Sequence, residues 1–269
     1  MLRFSGAGVS EVGHVREHNE DSGFVAPYVA LVADGVGGAA AGEVASATAA
    51  YVVSAMALAR DDEPLEQVVR EAVAATRLSL ADGVREDPDR EGMATTLTAV
   101  LCDGDRVVLA HLGDSRAFHY RAGEMAQVSS DHTYVQLLVD TGQLRAEEVA
   151  THPWRNVVLR SLHAAPDSEL GDVDLVEVDA RVGDRFLLCS DGLTDFVPAA
   201  RIRDLLRLRD PQAAATMLAH AALRAGGRDN ITCVVVDVVD GPRVVGDGRL
   251  LGAFWDFRNV VDPACVHRT

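Results

Sequence analysis

Carboxylates recur where apolar runs end. "YVALVAD" closes on Asp34 and "RFLLCSD" closes on Asp191, and each is followed by glycine, Gly35 and Gly192. Asp114 follows "VVLAHLG", Asp229 stands in "GGRDN" just ahead of "ITCVVVDVV", and Glu20 and Asp21 close "REHNED" before another apolar run. A single carboxylate before glycine ordinarily only opens a turn. Several at the edge of one sheet repel one another unless cations neutralise them. Hard divalent ions such as Mg²⁺ and Mn²⁺ take carboxylate, backbone carbonyl and water oxygens. Glycine after the aspartate gives the backbone freedom to turn its own carbonyl toward such an ion. No zinc-type ligand set competes, because the histidines are scattered and H-E-x-x-H is absent.

The glycines at positions 35, 37, 38 and 42 raise a rival reading, a phosphate-cradling loop. Such a loop needs a lysine on the phosphates, and a protein kinase needs one on its third strand. Every basic residue here is arginine, so both classes drop out, and Schiff-base chemistry with them. The net charge of −16 argues against nucleic-acid or anionic-membrane partners, which need a basic footprint. Composition by itself reads as a solvated acidic surface. Cys102, Cys189, Cys233 and Cys265 form no C-x-x-C pair, and none has an arginine six positions on, as a cysteine-nucleophile phosphatase would. Buried thiols in a reducing compartment are the expectation. No apolar run reaches the ~20 residues of a membrane span. The opening "MLRFSGAGVSEVGH" lacks signal-peptide features, so a soluble, cytoplasmic protein is expected.

The elements that must place these carboxylates alternate between strand and helix patterns. "FVAPYVALVAD", split by Pro27, predicts a strand pair or a bent strand running into Asp34. Gly42–Ala59 carries apolar residues at helical spacing, and a second helix is predicted from Pro64 toward Val84. From Ala94 the pattern becomes hairpins, with turns at Asp103-Gly104 and at Arg121–Glu124. A short helix near Thr133–Asp140 leads into a polar, flap-like stretch. A strand at Asp172–Asp179 precedes "GDRFLLCSDGLTDF", then helices around Ala199–Leu208 and Gln212–Ala225, the latter stopped by Gly226-Gly227. Ile231–Val239 is the last regular strand, and the residues after Asp240 carry no readable pattern. Hairpin runs with inserted helix pairs predict an α+β fold, antiparallel sheets covered by helices, and not a doubly wound one.

Six segments in order, "GHVREHNEDSG", "LVADGVGGAAAGEVAS", "TTLTAVL", "AHLGDSRAF", "GDRFLLCSDGLTD" and "GGRDNITCVVV", resemble the successive motifs of the metal-dependent type 2C (PPM) protein serine/threonine phosphatases in their bacterial form. The resemblance spans about Ser5 to Val239. It implies an α-β-β-α sandwich over residues 1–240, followed by a tail at 241–269, with a cleft at the sheet edges holding two Mn²⁺ or Mg²⁺ ions. By motif, Asp34 is implied to bridge both ions, with the Gly35 carbonyl on one, and Asp191 and Asp229 on the other. Glu20 and Asp21 are implied to ligate directly or through water, Asp114 to hold a third, weaker ion, and Arg16 to grip the substrate phosphate. Two ions ~3.5–4 Å apart acidify a shared water that then attacks phosphorus in line. A guanidinium suits bidentate capture of a phosphate monoester.

There are departures. Val36 stands where animal relatives carry the histidine proposed to protonate the leaving alkoxide. His18, His132 or metal-bound water are the alternatives. Ala39 and His163 stand where bacterial relatives usually have histidine and glycine, near the cleft entrance and the flap. The resemblance implies a monomeric, metal-dependent phosphatase of phosphoserine and phosphothreonine proteins that opposes serine/threonine kinases. Two rivals remain, a non-catalytic phosphoprotein-binding module of the same fold and a phosphatase of small phosphorylated metabolites.

Overall fold

The computed structural model describes residues 1–36, 41–60, 63–164, 173–245 and 248–261. Its elements in chain order are β1 (Leu2–Glu11), β2 (Asp21–Val25), β3 (Val29–Val36), α1 (Gly42–Ala59), α2 (Leu65–Glu86), β4 (Ala94–Thr95), β5 (Leu97–Cys102), β6 (Val107–Leu112), β7 (Arg116–Arg121) and β8 (Glu124–Gln127). There follow α3 (Tyr134–Asp140), β9 (Leu162–His163), β10 (Asp174–Val178), β11 (Arg185–Cys189), α4 (Asp191–Thr194), α5 (Ala199–Leu205), α6 (Pro211–Arg224), β12 (Ile231–Asp240) and β13 (Arg249–Gly252). One sheet runs β1-β12-β11-β7-β8, and the other β10-β6-β5-β3-β2-β13, with β4 and β9 appended beside β3.

Strand alternation explains the layering. In β3, Val32 and Ala30 face the other sheet beside Phe186, Leu188 and Val234, while Leu31 and Val29 face α1 and α2. In β11, Leu188 points between the sheets, and Leu187 and Cys189 point out beneath α5 and α6. Side chains of period two thus feed three apolar layers, and the sandwich is helix, sheet, sheet, helix. α1 is long and apolar enough by composition to cross a membrane, yet two-thirds of it is buried against the sheet and α2.

The hairpin turns fall where expected, with Ala122 and Gly123 both at positive φ in the β7–β8 turn. β1 and β13 are among the elements outside the sequence expectation. β1 pairs along its whole length with β12. In the tail, β13 pairs with β2, and Phe254 is buried against Phe24 and Tyr51, so residues 249–261 join the sandwich.

Candidate metal centre and phosphate site

The site lies at the edge where β2, β3, β11 and β12 begin or end. In the β2–β3 ladder Asp21 sits directly opposite Asp34. Asp34 is pinned through its backbone. Its N–H donates to Thr96 Oγ1 (2.9 Å), and its carbonyl accepts from the Thr96 amide (2.9 Å) and from Thr95 Oγ1 (2.9 Å). Asp191 opens α4, immediately after Ser190. The Ser190 hydroxyl donates to Asp21 Oδ2 (2.7 Å) and accepts from the Thr232 amide (2.9 Å), tying β2, β11 and β12 together under the site. Asp114 follows Gly113 in the β6–β7 turn, where Gly113 holds φ +114.

Electrostatics show that these groups share one space. Burial first, then Asp21, Asp191, Asp114 and Asp229, hold the Asp34 carboxyl well above the usual carboxylate range. Asp191 is raised the same way, by burial and then by Asp114, Asp195, Asp229 and Asp21. Burial is also the main cause for Asp21, Asp114 and Glu20, with Glu43 pushing Glu20 further up. Acids that raise one another's pKa are short of positive charge. All the donors are hard oxygens, which fits Mn²⁺ or Mg²⁺ and not a thiolate-preferring ion. Among the described residues no three such side chains close into a finished cage.

Arg16 places a cation at this edge. Its Nη2 donates to Asp229 Oδ2 (2.9 Å), and its side chain stays about half exposed at 46%. The loop carrying it is shaped by Asn230, a residue the motif reading quoted without assigning. The Asn230 side chain donates to the carbonyls of Val12 (2.9 Å) and His18 (2.9 Å) and accepts from the Glu20 amide (2.8 Å). Asn19 adds a bond from its Nδ2 to Ser10 Oγ (2.9 Å). The signal for Asn230 was its place next to Asp229. Its partners, far off in sequence, gave none.

The glycines after Asp34 and Asp191 act differently from the sequence expectation. Neither Gly35 nor Gly192 is at positive φ. Gly35 continues β3, and a β-carbon there would meet the Gly42 carbonyl oxygen at 2.5 Å and the Glu20 carbonyl oxygen at 2.8 Å. A β-carbon on Gly192 would meet the Asn230 carbonyl oxygen at 2.0 Å. Close backbone approach, not turning freedom, requires glycine at both positions.

Val36 ends β3 opposite Ala94, and His163 pairs with Ala94 from the far side, in a short ladder beside the site. Ala39 lies outside the described residues. His132 is held by Gly113 and Asp174, and His18 is exposed. Beside Asp114 and Asp191 opens a cleft of about 540 Å³. It is lined further by Arg116, Asp195 and, from the flap, Val149 and Arg155. Arg116 is committed to Asp131, its Nη2 lying 2.6 Å from Oδ2.

Residues 16–248 match the family described as Protein phosphatase 2C. The serine/threonine protein phosphatase PstP of Mycobacterium tuberculosis is 44% identical over 243 residues, an overlap of 89% of this chain and 46% of that protein. The chain thus spans under half the length of that curated relative. The serine/threonine phosphatase stp of Listeria welshimeri is 34% identical over 236 residues, covering 84% of this chain and 92% of the relative. Among solved structures, the PstP catalytic domain in complex with two manganese ions superposes with a TM-score of 0.79 at 42% identity, covering 89% of this chain and all of that one. The PPM Ser-Thr phosphatase MsPP of Mycobacterium smegmatis, in complex with cacodylate, gives a TM-score of 0.78 at 35% identity, covering 87% and 97%. With the sandwich, the carboxylate edge and these likenesses together, the chain belongs to the protein phosphatase 2C family.

Proposed function

We propose that this chain hydrolyses phosphoserine and phosphothreonine in proteins at a centre of two Mn²⁺ or Mg²⁺ ions, acting in the cytoplasm as a monomer against serine/threonine kinases. The observation that carries the reading is the convergence of Asp21, Asp34, Asp191 and Asp229 from separate strand ends: burial raises the first three, and the partly exposed Asp229 pushes each of them further up. Asp34, Asp191, Asp229 and the Gly35 carbonyl would hold the ions, with Asp21 and Glu20 ligating directly or through water and Asp114 holding a third. When bound, the ions would supply an activated water and offset phosphoryl charge.

The chain's own residues do the rest. Thr95 and Thr96 fix the Asp34 backbone, so its carboxylate is presented without reorganisation. The Arg16 guanidinium exchanges its single bond to Asp229 for the substrate's phosphoryl oxygens, two of which can accept from the guanidinium fork. The neighbouring cleft, bounded by the flap, takes the peptide chain on either side of the phosphoresidue. Val36 contributes no proton, which leaves exposed His18 or a metal-bound water to protonate the leaving alkoxide. Cys102, Cys189 and Cys233 are buried free thiols, in keeping with a reducing compartment.

The test is Mn²⁺-dependent turnover of a phosphopeptide panel beside an aryl phosphate and sugar phosphates. Hydrolysis of the peptides, abolished by EDTA and by Asp191→Ala, is the expected result. Peptide binding without turnover would assign the chain to the binding-module rival, and a preference for sugar phosphates to the metabolite rival.

A further inference from the structure

His132 directly follows Asp131, the partner of Arg116, and its ring is 8% exposed. It meets the Gly113–Asp114 turn twice. Its backbone amide donates to the Gly113 carbonyl (2.7 Å), and its Nδ1 lies 3.0 Å from the Gly113 amide. A backbone amide can only donate, so Nδ1 carries the lone pair and the ring proton sits on Nε2. Nε2 is 2.9 Å from Asp174 Oδ2, the acceptor for that proton, although Arg160 Nη1, itself a donor, lies 2.7 Å from the same nitrogen. Asp174 in turn accepts from Arg160 Nη2 (2.8 Å). The ring lies over His111 with centroids 4.8 Å apart, and His111 pairs with Asp174 across the β6–β10 ladder.

The same residue gathers the two ends of the flap. The Leu159 amide donates to the His132 carbonyl (2.8 Å), the Tyr134 amide donates to the Val157 carbonyl (2.9 Å), and Thr133 bridges to Val158. The outgoing chain at residues 133–134 and the returning chain at 157–160 are therefore fastened at one point, which is also the support of the Gly113–Asp114 turn. Gly113 holds φ +114, a conformation for which the local chain supplies no preference of its own beyond permitting it.

We propose that His132 is a positioning residue: it fixes the Gly113–Asp114 turn through Nδ1 and, with Asp174 and Arg160, joins that turn to both ends of the flap. Its consequence for cation binding rests on the reading of Asp114 as a ligand of the third, weaker ion. A partner of this kind ordinarily changes metal affinity by ~10–100-fold when lost.

Two substitutions separate the ring's two nitrogens. In His132→Asn the side-chain oxygen takes the place of Nδ1 and the reach to Asp174 is lost. In His132→Gln the amide nitrogen takes the place of Nε2 and nothing faces Gly113. Amide hydrogen exchange at Gly113 reads the turn directly, and Mn²⁺ titration calorimetry reads ion binding. Exchange near the wild-type rate is expected in His132→Asn, and exchange faster by on the order of 10-fold in His132→Gln, with the weakest Mn²⁺ site weakened to a similar degree. Equal Gly113 exchange in the two variants, fast or slow, would overturn the proposal. Asp174→Ala, at a half-exposed position, serves if His132→Gln does not fold. It too must speed Gly113 exchange, and an unchanged rate would overturn the proposal. Separation of the variants by exchange but not by Mn²⁺ binding would uphold the clamp and remove Asp114 from the ion-binding set.

Discussion

A carboxylate flanks each end of β11, Asp184 just before it and Asp191 just after it, and the two ends treat it in opposite ways. At the start, Asp184 accepts from Arg121 Nε (2.8 Å) and Nη2 (2.7 Å), the Arg181 amide (2.7 Å) and His119 Nε2 (3.0 Å). Burial alone would raise its pKa, but these donors outweigh it and bring the carboxyl down to about 2. The next residue, Arg185, is 8% exposed and donates to both oxygens of Asp237 (2.6 and 2.9 Å) and to the carbonyls of Leu206 (2.7 Å), Leu208 and Arg209 (2.9 Å). At the other end Asp191 has acidic neighbours and a raised pKa. One end completes its charge balance inside the protein. The other leaves negative charge for something from outside to neutralise, and that imbalance marks the functional end.

The sharpest way to break this contrast is Asp34→Asn. Removing a carboxylate from the crowded end should cost more activity than the ~10–100-fold typical of residues that only support a metal ligand. In EDTA the same change should raise the urea midpoint, corresponding to about 1 kcal/mol, because one member of a repelling set is gone. Phosphatase assays and urea unfolding on the same samples check both halves. A lowered midpoint would mean that the carboxylates are already compensated within the chain.

Arg185→Met is the converse. It leaves Asp237 and the carbonyls at the end of α5 without their donor, while the methionine stem still fills the space. Breaking a buried pair from one side costs about 3–5 kcal/mol. The urea midpoint should fall accordingly while kcat stays close to wild type, since Arg185 lies at the far end of the strand from Asp191. A loss of kcat as deep as that of a site variant would show that the two ends are not separable.

Much of this contrast was legible before any coordinates. Asp34, Asp191 and Asp229 announce themselves because an apolar run of period two must end at a sheet edge, and a charged residue there faces the cleft. The role of the glycines was not legible. Whether Gly35 serves a turn or a close approach depends on Gly42 and Glu20 packing over it, which local sequence does not encode. β1 escaped for a related reason. "RFSGAGVSE" is poor in strand formers, yet a β-carbon on Gly6 would meet the Val235 carbonyl oxygen at 2.3 Å, so its glycines are there for the neighbouring strand. The tail was unreadable because the burial of Phe254 depends on Phe24 and Tyr51, two hundred residues earlier. Asn230 holds Val12 and His18 across a comparable separation, and no spacing rule connects them.

The last effect concerns pH and sharpens the comparison most. Asp184 falls from its ordinary 3.8 to about 2 on folding, so as the pH drops the unfolded chain takes up this proton first. Its contribution is therefore complete above the unfolded value and is lost as the pH falls through about 2. The shift corresponds to about 2 kcal/mol. Asp21, at the other end of the fold's carboxylate set, is pushed by burial from 3.8 up to about 6. Its sign is reversed: the contribution is present below 3.8 and lost as the pH rises through about 6. Urea unfolding of metal-free wild type and Asp184→Asn across this range should show a gap of about 2 kcal/mol at neutral pH that closes toward pH 2. A gap that stays constant with pH would mean that Asp184 stabilises by shape and neutral hydrogen bonds. The charge-balanced end would then owe its stability to something other than balanced charge.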